Sequence, residues 1–164
     1  MRYEISLTYS KSLVRYAVLR FWWRVTGLRF VLANALLLAG FVTLLLCGDT
    51  SWFIGVLGTV LAMGIVFAAA VYLVHYHNSL SKLRAMGSPS ATLVATDSAL
   101  FLSSGAGSST LPWSTVKEVW QFPECWLLLF SKAQFVTLPL ASVTPDAREF
   151  ILQQVRSAGG KPGA

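Results

Sequence analysis

His75 and His77, in the stretch YLVHYHNS, are the only histidines in this chain and the first candidates for chemistry. Two residues apart on a helix, the rings point about 200° away from each other. One metal ion could not hold both without breaking the helix. A strand would allow chelation, but the apolar run before them predicts a helix. With Tyr72 and Tyr76 they are read as an aromatic belt at a membrane boundary, not as metal ligands.

The stretch SSGAGSS at 103–109 has the glycine and serine content of a phosphate loop. It lacks the lysine of a P-loop and leads toward a strand, so the expectation is a hairpin turn. Asp97, Glu118, Glu124, Asp146 and Glu149 form no pair in a catalytic setting, and each has a turn, surface or capping role open to it. Ser114 has no base within reach, because both histidines belong to the membrane boundary. Cys47 and Cys125 fall on opposite sides of the membrane in the topology below and have no metal-ligand spacing. The chain is therefore expected to be no enzyme, with no cofactor and no metal.

The elements that carry these residues are dominated by apolar side chains. Of 164 residues 55% are hydrophobic and 12% charged, far from the usual soluble balance of roughly half and a quarter. The net charge of +6 is confined to one half. Residues 1–87 carry eight basic side chains against Glu4 and Asp49, while 88–164 are balanced. Charge that flanks apolar runs marks membrane topology, not a nucleic-acid partner.

Residues 2–8 alternate as a short strand. The following stretch, SKSLVRYAVLRFWWRVTG, predicts a helix with Val14, Ala17, Val18, Phe21 and Val25 in one stripe, bordered by Lys11, Arg15, Arg20 and Arg24. Such a helix suits a membrane surface, its cationic stems snorkelling, or packing on the soluble part of the chain. Residues 28–47 and 52–76 are two apolar runs joined by GDTS, each long enough for a hydrocarbon core of about 30 Å. They form a helical hairpin. The positive-inside rule puts both chain ends in the cytoplasm and Asp49 outside. The expected membrane-interface residues are Lys11, Arg15, Arg20, Trp22, Trp23, Arg24, Arg29, His75, His77, Lys82 and Arg84. Small residues at four-residue spacing, Ala35 and Ala39 against Gly58, Ala62, Gly64 and Ala68, are expected to pack the two helices, with Ala39 near Gly58–Ala62 and Ala35 near Gly64. Asn34 is placed to bond across a helix interface, within the hairpin or between chains.

From residue 91 the period changes to two. ATLVAT, ALFLSS, TLPWSTVKEVWQF, CWLLLFSK and QFVTLPLASV read as successive strands. PDAREFILQQVRSAG then predicts a helix, capped by Thr144, opened by Pro145 and Asp146, with Phe150, Ile151 and Val155 as its apolar face. The fold class expected is a membrane hairpin plus a small α+β cytoplasmic domain, an antiparallel sheet or half-barrel with a C-terminal helix. The domains are 1–27 (strand and basic helix), 28–76 (hairpin), 77–90 (connector), 91–158 (cytoplasmic domain) and 159–164 (mobile tail).

LPWSTVKEVWQFPECWLLLFSKAQFVTLPLASV and REFILQQV resemble the YcxB-like proteins, bacterial membrane proteins with two transmembrane helices and a C-terminal domain related to pleckstrin-homology-like (PH-like) folds. Leu111, Pro112 and Trp113 match the family's strand opening, Val116 and Val119 its inward positions, 135–139 its late strand and 150–155 its closing helix. The resemblance implies architecture, not activity, and it implies that residues 3–8 add a strand to the cytoplasmic sheet. The leading functional expectation is a non-catalytic membrane protein whose PH-like domain binds a protein partner or lipid headgroups. The alternative is an immunity protein that neutralises a toxin by binding it. Trp120, Phe122 and Trp126 are the candidate partner-binding aromatics, with the sheet core as their other destination. Homo-oligomers are compatible with the sequence.

Overall fold

The computed structural model describes residues 1–163 and divides into two compact units, 18–78 and the remainder on either side of it. The fold class expected from sequence holds. Two long apolar helices accompany a small, mostly antiparallel sheet unit closed by a C-terminal helix.

In the sheet unit, β1 (Arg2–Thr8), β2 (Ser90–Thr96), β3 (Ala99–Ser104) and β4 (Gly107–Pro112) form one sheet in sequence order. The strand implied for residues 3–8 is therefore present. β1 pairs β2 antiparallel over all seven residues, from Arg2↔Thr96 to Thr8↔Ser90. Everything between those strands, both long helices included, is an insertion into a strand pair. A second sheet has the order β7-β6-β5-β8, from β5 (Glu118–Gln121), β6 (Cys125–Leu129), β7 (Phe135–Pro139) and β8 (Lys161–Pro162). Leu7, Leu93, Leu100, Val119, Leu128 and Leu138 are fully buried in one core, as period-two alternation on strands with one inward face requires.

Helix α3 (Pro145–Ser157) adds Ala147, Phe150, Ile151 and Val155 to that core. Thr144 caps it, its hydroxyl oxygen accepting from Ala147 N at 3.4 Å. Phe150 lies between Tyr3 (ring centroids 5.1 Å apart) and the edge of Trp113 (6.5 Å). Trp113 is buried and donates its indole N–H to Thr96 O at 2.9 Å, which satisfies the one polar atom that its burial would strand.

Two local expectations change. Residues 110–122 are not one strand, because Pro112 ends β4 and a single 3-10 turn, Trp113–Thr115, precedes β5. The ladder to β3 runs out at Ala99↔Pro112, and the turn swings Trp113 into the core. In the segment expected to be a mobile tail, Lys161 and Pro162 form β8, parallel to β5. Lys161 N donates to Lys117 O at 2.9 Å and Gly163 N to Val119 O at 3.0 Å. Gly160 permits this: a Cβ there would lie 2.6 Å from Val116 O. Ala164 of that tail lies outside the described residues.

Helices α1 (Lys11–Leu46) and α2 (Trp52–Ala85) are both long and apolar enough to cross a membrane. α1 breaks at Gly27, whose φ of 71° and ψ of 155° are non-helical. The break separates the basic segment from the apolar run at the boundary read from sequence. Leu32, Leu36, Val42, Val60, Ile65 and Phe67 are exposed, so these helices do not bury their apolar surface as core helices of a soluble protein would.

Inside the hairpin unit the named α2 positions other than Ala62 lie on the packed side, while the α1 alanines do not. Ala35, Ala39 and Ala62 are exposed, while Gly58, Gly64 and Ala68 are half-buried. Large side chains sit over the glycines instead of small facing small. A Cβ on Gly58 would lie 3.1 Å from the Phe41 ring, and one on Gly64 would overlap Asn34 Oδ1 and lie 3.2 Å from its Cγ. Asn34 Nδ2 donates to Phe30 O at 3.0 Å, and Trp22 Nε1 donates to Ala68 O at 2.7 Å across the hairpin. Asn34 thus belongs to the interface within the hairpin.

Gly64→Ala should therefore destabilise the hairpin by about 1–3 kcal/mol, the range for overpacking, measured as loss of helix–helix association in detergent. Asn34→Ala should restore most of that loss in the double variant. Additive losses would show that Asn34 does not fill the space over Gly64.

Candidate functional site

The β1–β2 ladder ends where α1 departs and α2 returns. Beyond Thr8↔Ser90, Tyr9 N donates to Pro89 O at 2.8 Å. Ser10 then starts α1, its hydroxyl accepting from Leu13 N at 3.1 Å, as an N-cap does. The sheet unit thereby holds the first turns of α1 beside the last turns of α2. Lys11 and Arg15 come from the first, Lys82 and Arg84 from the second, and all four are exposed. Along the same ladder, Glu4 in mid-strand pairs with Arg2 at 3.5 Å, and Asp97 at the opposite end with the Met1 amino group.

Tyr9 is the side chain that fixes this junction. Its ring is 9% exposed, and its hydroxyl donates to Thr137 O on β7 at 3.0 Å. Burial pushes its pKa up to about 12, because the phenolate would be stranded without water. Sequence reading did not single it out; a tyrosine ending an alternating strand looks ordinary until the partner strand is known. Two adjoining cavities open beside it. One of about 120 Å³ is lined by Tyr9, Val14, Lys82, Leu83 and Phe135. The other, about 310 Å³, lies between Met86, Leu102, Val136 and Ser104, Ser108 and Ser109. The serine-rich segment does form a hairpin turn, closed by Ser104↔Gly107. Gly105 is needed there, since a Cβ would overlap Met86 O and lie 3.0 Å from its carbonyl carbon.

The cavities bring one ammonium, several hydroxyls and apolar walls together, with no carboxylate or imidazole. Among the described residues no group of three His, Cys, Asp or Glu could hold a metal ion, and Cys47 and Cys125 form no disulfide. His75 lies against Phe21 with ring centroids 4.6 Å apart, while His77 is exposed. Tyr72 and Tyr76 stack at 5.8 Å.

Of the aromatics considered for partner binding, Trp120 is 8% and Trp126 6% exposed. Phe122 is half-buried. Trp126 joins the sheet core, and Trp120 donates its indole N–H to Glu118 Oε2 at 2.9 Å. The other interface residues divide in two. Arg20, Trp23, Arg24 and Arg29 are exposed, whereas Trp22 is half-buried and bonded to Ala68 O. Val14, Ala17, Val18 and Phe21 of the predicted stripe are covered by protein; Val25 is 45% exposed.

Comparison with protein-family models matches residues 95–155 to the YcxB-like protein family. The match runs from the end of β2 to the last turns of α3, so it covers β3 to β7 and omits β1, most of β2, the helical hairpin and β8. Comparison with curated proteins returned no match, and comparison with solved structures returned none.

Tyr9 gives this junction an alkaline limit. A phenol whose pKa is near 10 when unfolded and about 12 when folded contributes stability that is complete below pH 10 and lost as pH rises toward 12. Thermal unfolding followed by tryptophan fluorescence should show that decline. Tyr9→Phe should lower stability at pH 7 by about 1 kcal/mol through the lost hydrogen bond and flatten the alkaline limb. An unchanged limb in Tyr9→Phe would assign it to another group.

Proposed function

With YcxB-like sequence over residues 95–155 as the premise, we propose that this is a non-catalytic protein of the bacterial inner membrane whose cytoplasmic, PH-like sheet unit binds anionic lipid headgroups. The observation that carries the reading is that the β1–β2 pairing sets the first turns of α1, with exposed Lys11 and Arg15, beside the last turns of α2, with exposed Lys82 and Arg84. Each basic residue near an anionic leaflet contributes about 1 kcal/mol of attraction. Lipid phosphate supplies the counter-charge that no neighbouring carboxylate supplies.

Two successive antiparallel arrangements followed by a helix across the core support the PH-like description. Burial of Trp120 and Trp126 favours lipid headgroups over a protein partner held by those aromatics. The orientation, with both termini cytoplasmic, is supported by the excess of cations at the sheet-unit ends of the helices and by the short turn at their other ends. There Asp49 Oδ1 accepts from Ser51 N at 2.7 Å. A strand pair joining the departure of α1 to the return of α2 also favours one side of the bilayer for both.

The full chain in nanodiscs should retain phosphatidylglycerol in preference to phosphatidylcholine. Replacing Lys11, Arg15, Lys82 and Arg84 together by Gln should abolish that preference, read by mass spectrometry of co-purified lipid. Equal lipid retention by wild type and variant would overturn the reading. For orientation, Thr50→Cys in a Cys47→Ala background should react with an impermeant maleimide in intact cells stripped of their outer membrane. Labelling only after lysis would reverse the topology.

A further inference from the structure

The two sheets present four edges, and three of them are protected. β1 carries the Arg2–Glu4 ion pair, and Met1 is bonded to Asp97 beside it. β7 has Thr137 O occupied by the Tyr9 hydroxyl. β8 is two residues long and consists of Lys161 and Pro162. Charge, covering side chains, shortness and proline are the means by which sheet edges avoid pairing with other chains.

β4 carries no charge along its length, and its one proline, Pro112, stands only at its last position. It runs six residues in unbroken register with β3, and all of it except Leu111 is exposed. No charged residue occurs from Ser98 to Val116. The two-residue turn fixes which backbone groups are open. Because Ser104 and Gly107 close the hairpin as partners, they exchange both hydrogen bonds, and bonded pairs then alternate along the ladder. Gly107, Ser109 and Leu111 direct their N–H and C=O groups to β3; Ser108 and Thr110 direct theirs away from it. At the next outward position Pro112 has no N–H to offer.

We propose that β4 is a self-association edge, and that two copies of this chain pair there antiparallel about a two-fold axis at Ser109. Ser108 of one copy and Thr110 of the other exchange both backbone bonds, twice by symmetry, and the two Ser109 residues lie directly opposite. An isologous contact places a strand against itself, so a charged edge would repel its own copy. A neutral Ser-Ser-Thr edge does not, and facing serine and threonine side chains favour such pairs. The occupant is a second copy because the edge is complementary to itself in charge, side-chain type and parity of open bonds. A strand contact of this length is small, and copies confined to one bilayer meet at a high effective concentration. The proposal does not depend on the lipid reading.

The test uses the full-length chain in lipid vesicles, with Cys47→Ala throughout. Directly opposed residues at a non-hydrogen-bonded position have Cα atoms about 4.5 Å apart, within the range that a disulfide spans. Ser109→Cys should therefore form a cross-linked dimer under mild oxidation at least about tenfold faster than Ser157→Cys, a control on exposed α3 surface. Adding Ser108→Pro, which removes an outward N–H and leaves the β3 ladder its bonds, should abolish the difference. Ser109→Lys and Ser109→Glu should each be monomeric by single-molecule photobleaching and should associate when mixed. Circular dichroism checks that each variant is folded. Ser109→Cys cross-linking no faster than the control, or self-association of Ser109→Lys equal to wild type, overturns the proposal. Capture of a foreign strand on this edge without the Ser109–Ser109 cross-link also overturns it.

Discussion

The pairing of β1 with β2 is the contact on which the rest of this molecule depends. It joins Arg2–Thr8 to Ser90–Thr96 across the whole helical hairpin. Without it the first sheet would lose an edge strand, Tyr9 would lose Pro89 O, and the ends of α1 and α2 would have no common anchor. Closing so long a loop has an entropic cost that grows only with the logarithm of its length. The helical hairpin lowers that cost further, because packed helices already bring the two strands near one another. Trp22 bonded to Ala68 O and Asn34 seated over Gly64 are part of that packing.

The same contact sets the chemistry of the junction. The start of α1 and the end of α2, distant in sequence, come side by side because the ladder continues to Thr8↔Ser90 and one bond beyond. Tyr9 completes the arrangement from below by bonding β7, so both sheets meet at the point where the chain leaves for the helices. The cavities beside Tyr9 have apolar walls and one ammonium.

Much of the fold was legible in the sequence because it rests on periodicity. The apolar runs, the break before residue 28, the strands from residue 91 and the capped α3 all declare themselves within a few residues. What was not legible depends on distant partners. The partners of the α2 glycines were not legible because small-xxx-small spacing does not say whether a glycine receives another small residue or a ring; here Phe41 and Asn34 fill the spaces. The continuous strand through Trp113 failed because the indole needed Thr96 O and core space, information that alternation alone does not contain. β8 escaped notice because Gly-Gly-Lys-Pro-Gly has no strand propensity, and only the free side of β5 gives it a place. The candidate site was partly legible. Its cations were identified, but their grouping was not, since nothing local links Lys11 to Lys82.

The placement of β1 ahead of the hairpin has a consequence in time. A ribosome adding about 5–20 residues per second needs on the order of 4–16 s to make the chain between Thr8 and Ser90. Throughout that interval β1 exists without the strand it pairs with. Its alternation of Tyr3, Ile5 and Leu7 with Arg2, Glu4 and Ser6 keeps half of it hydrophilic while it waits. By the time β2 is made and can pair with β1, both long helices have already been synthesised.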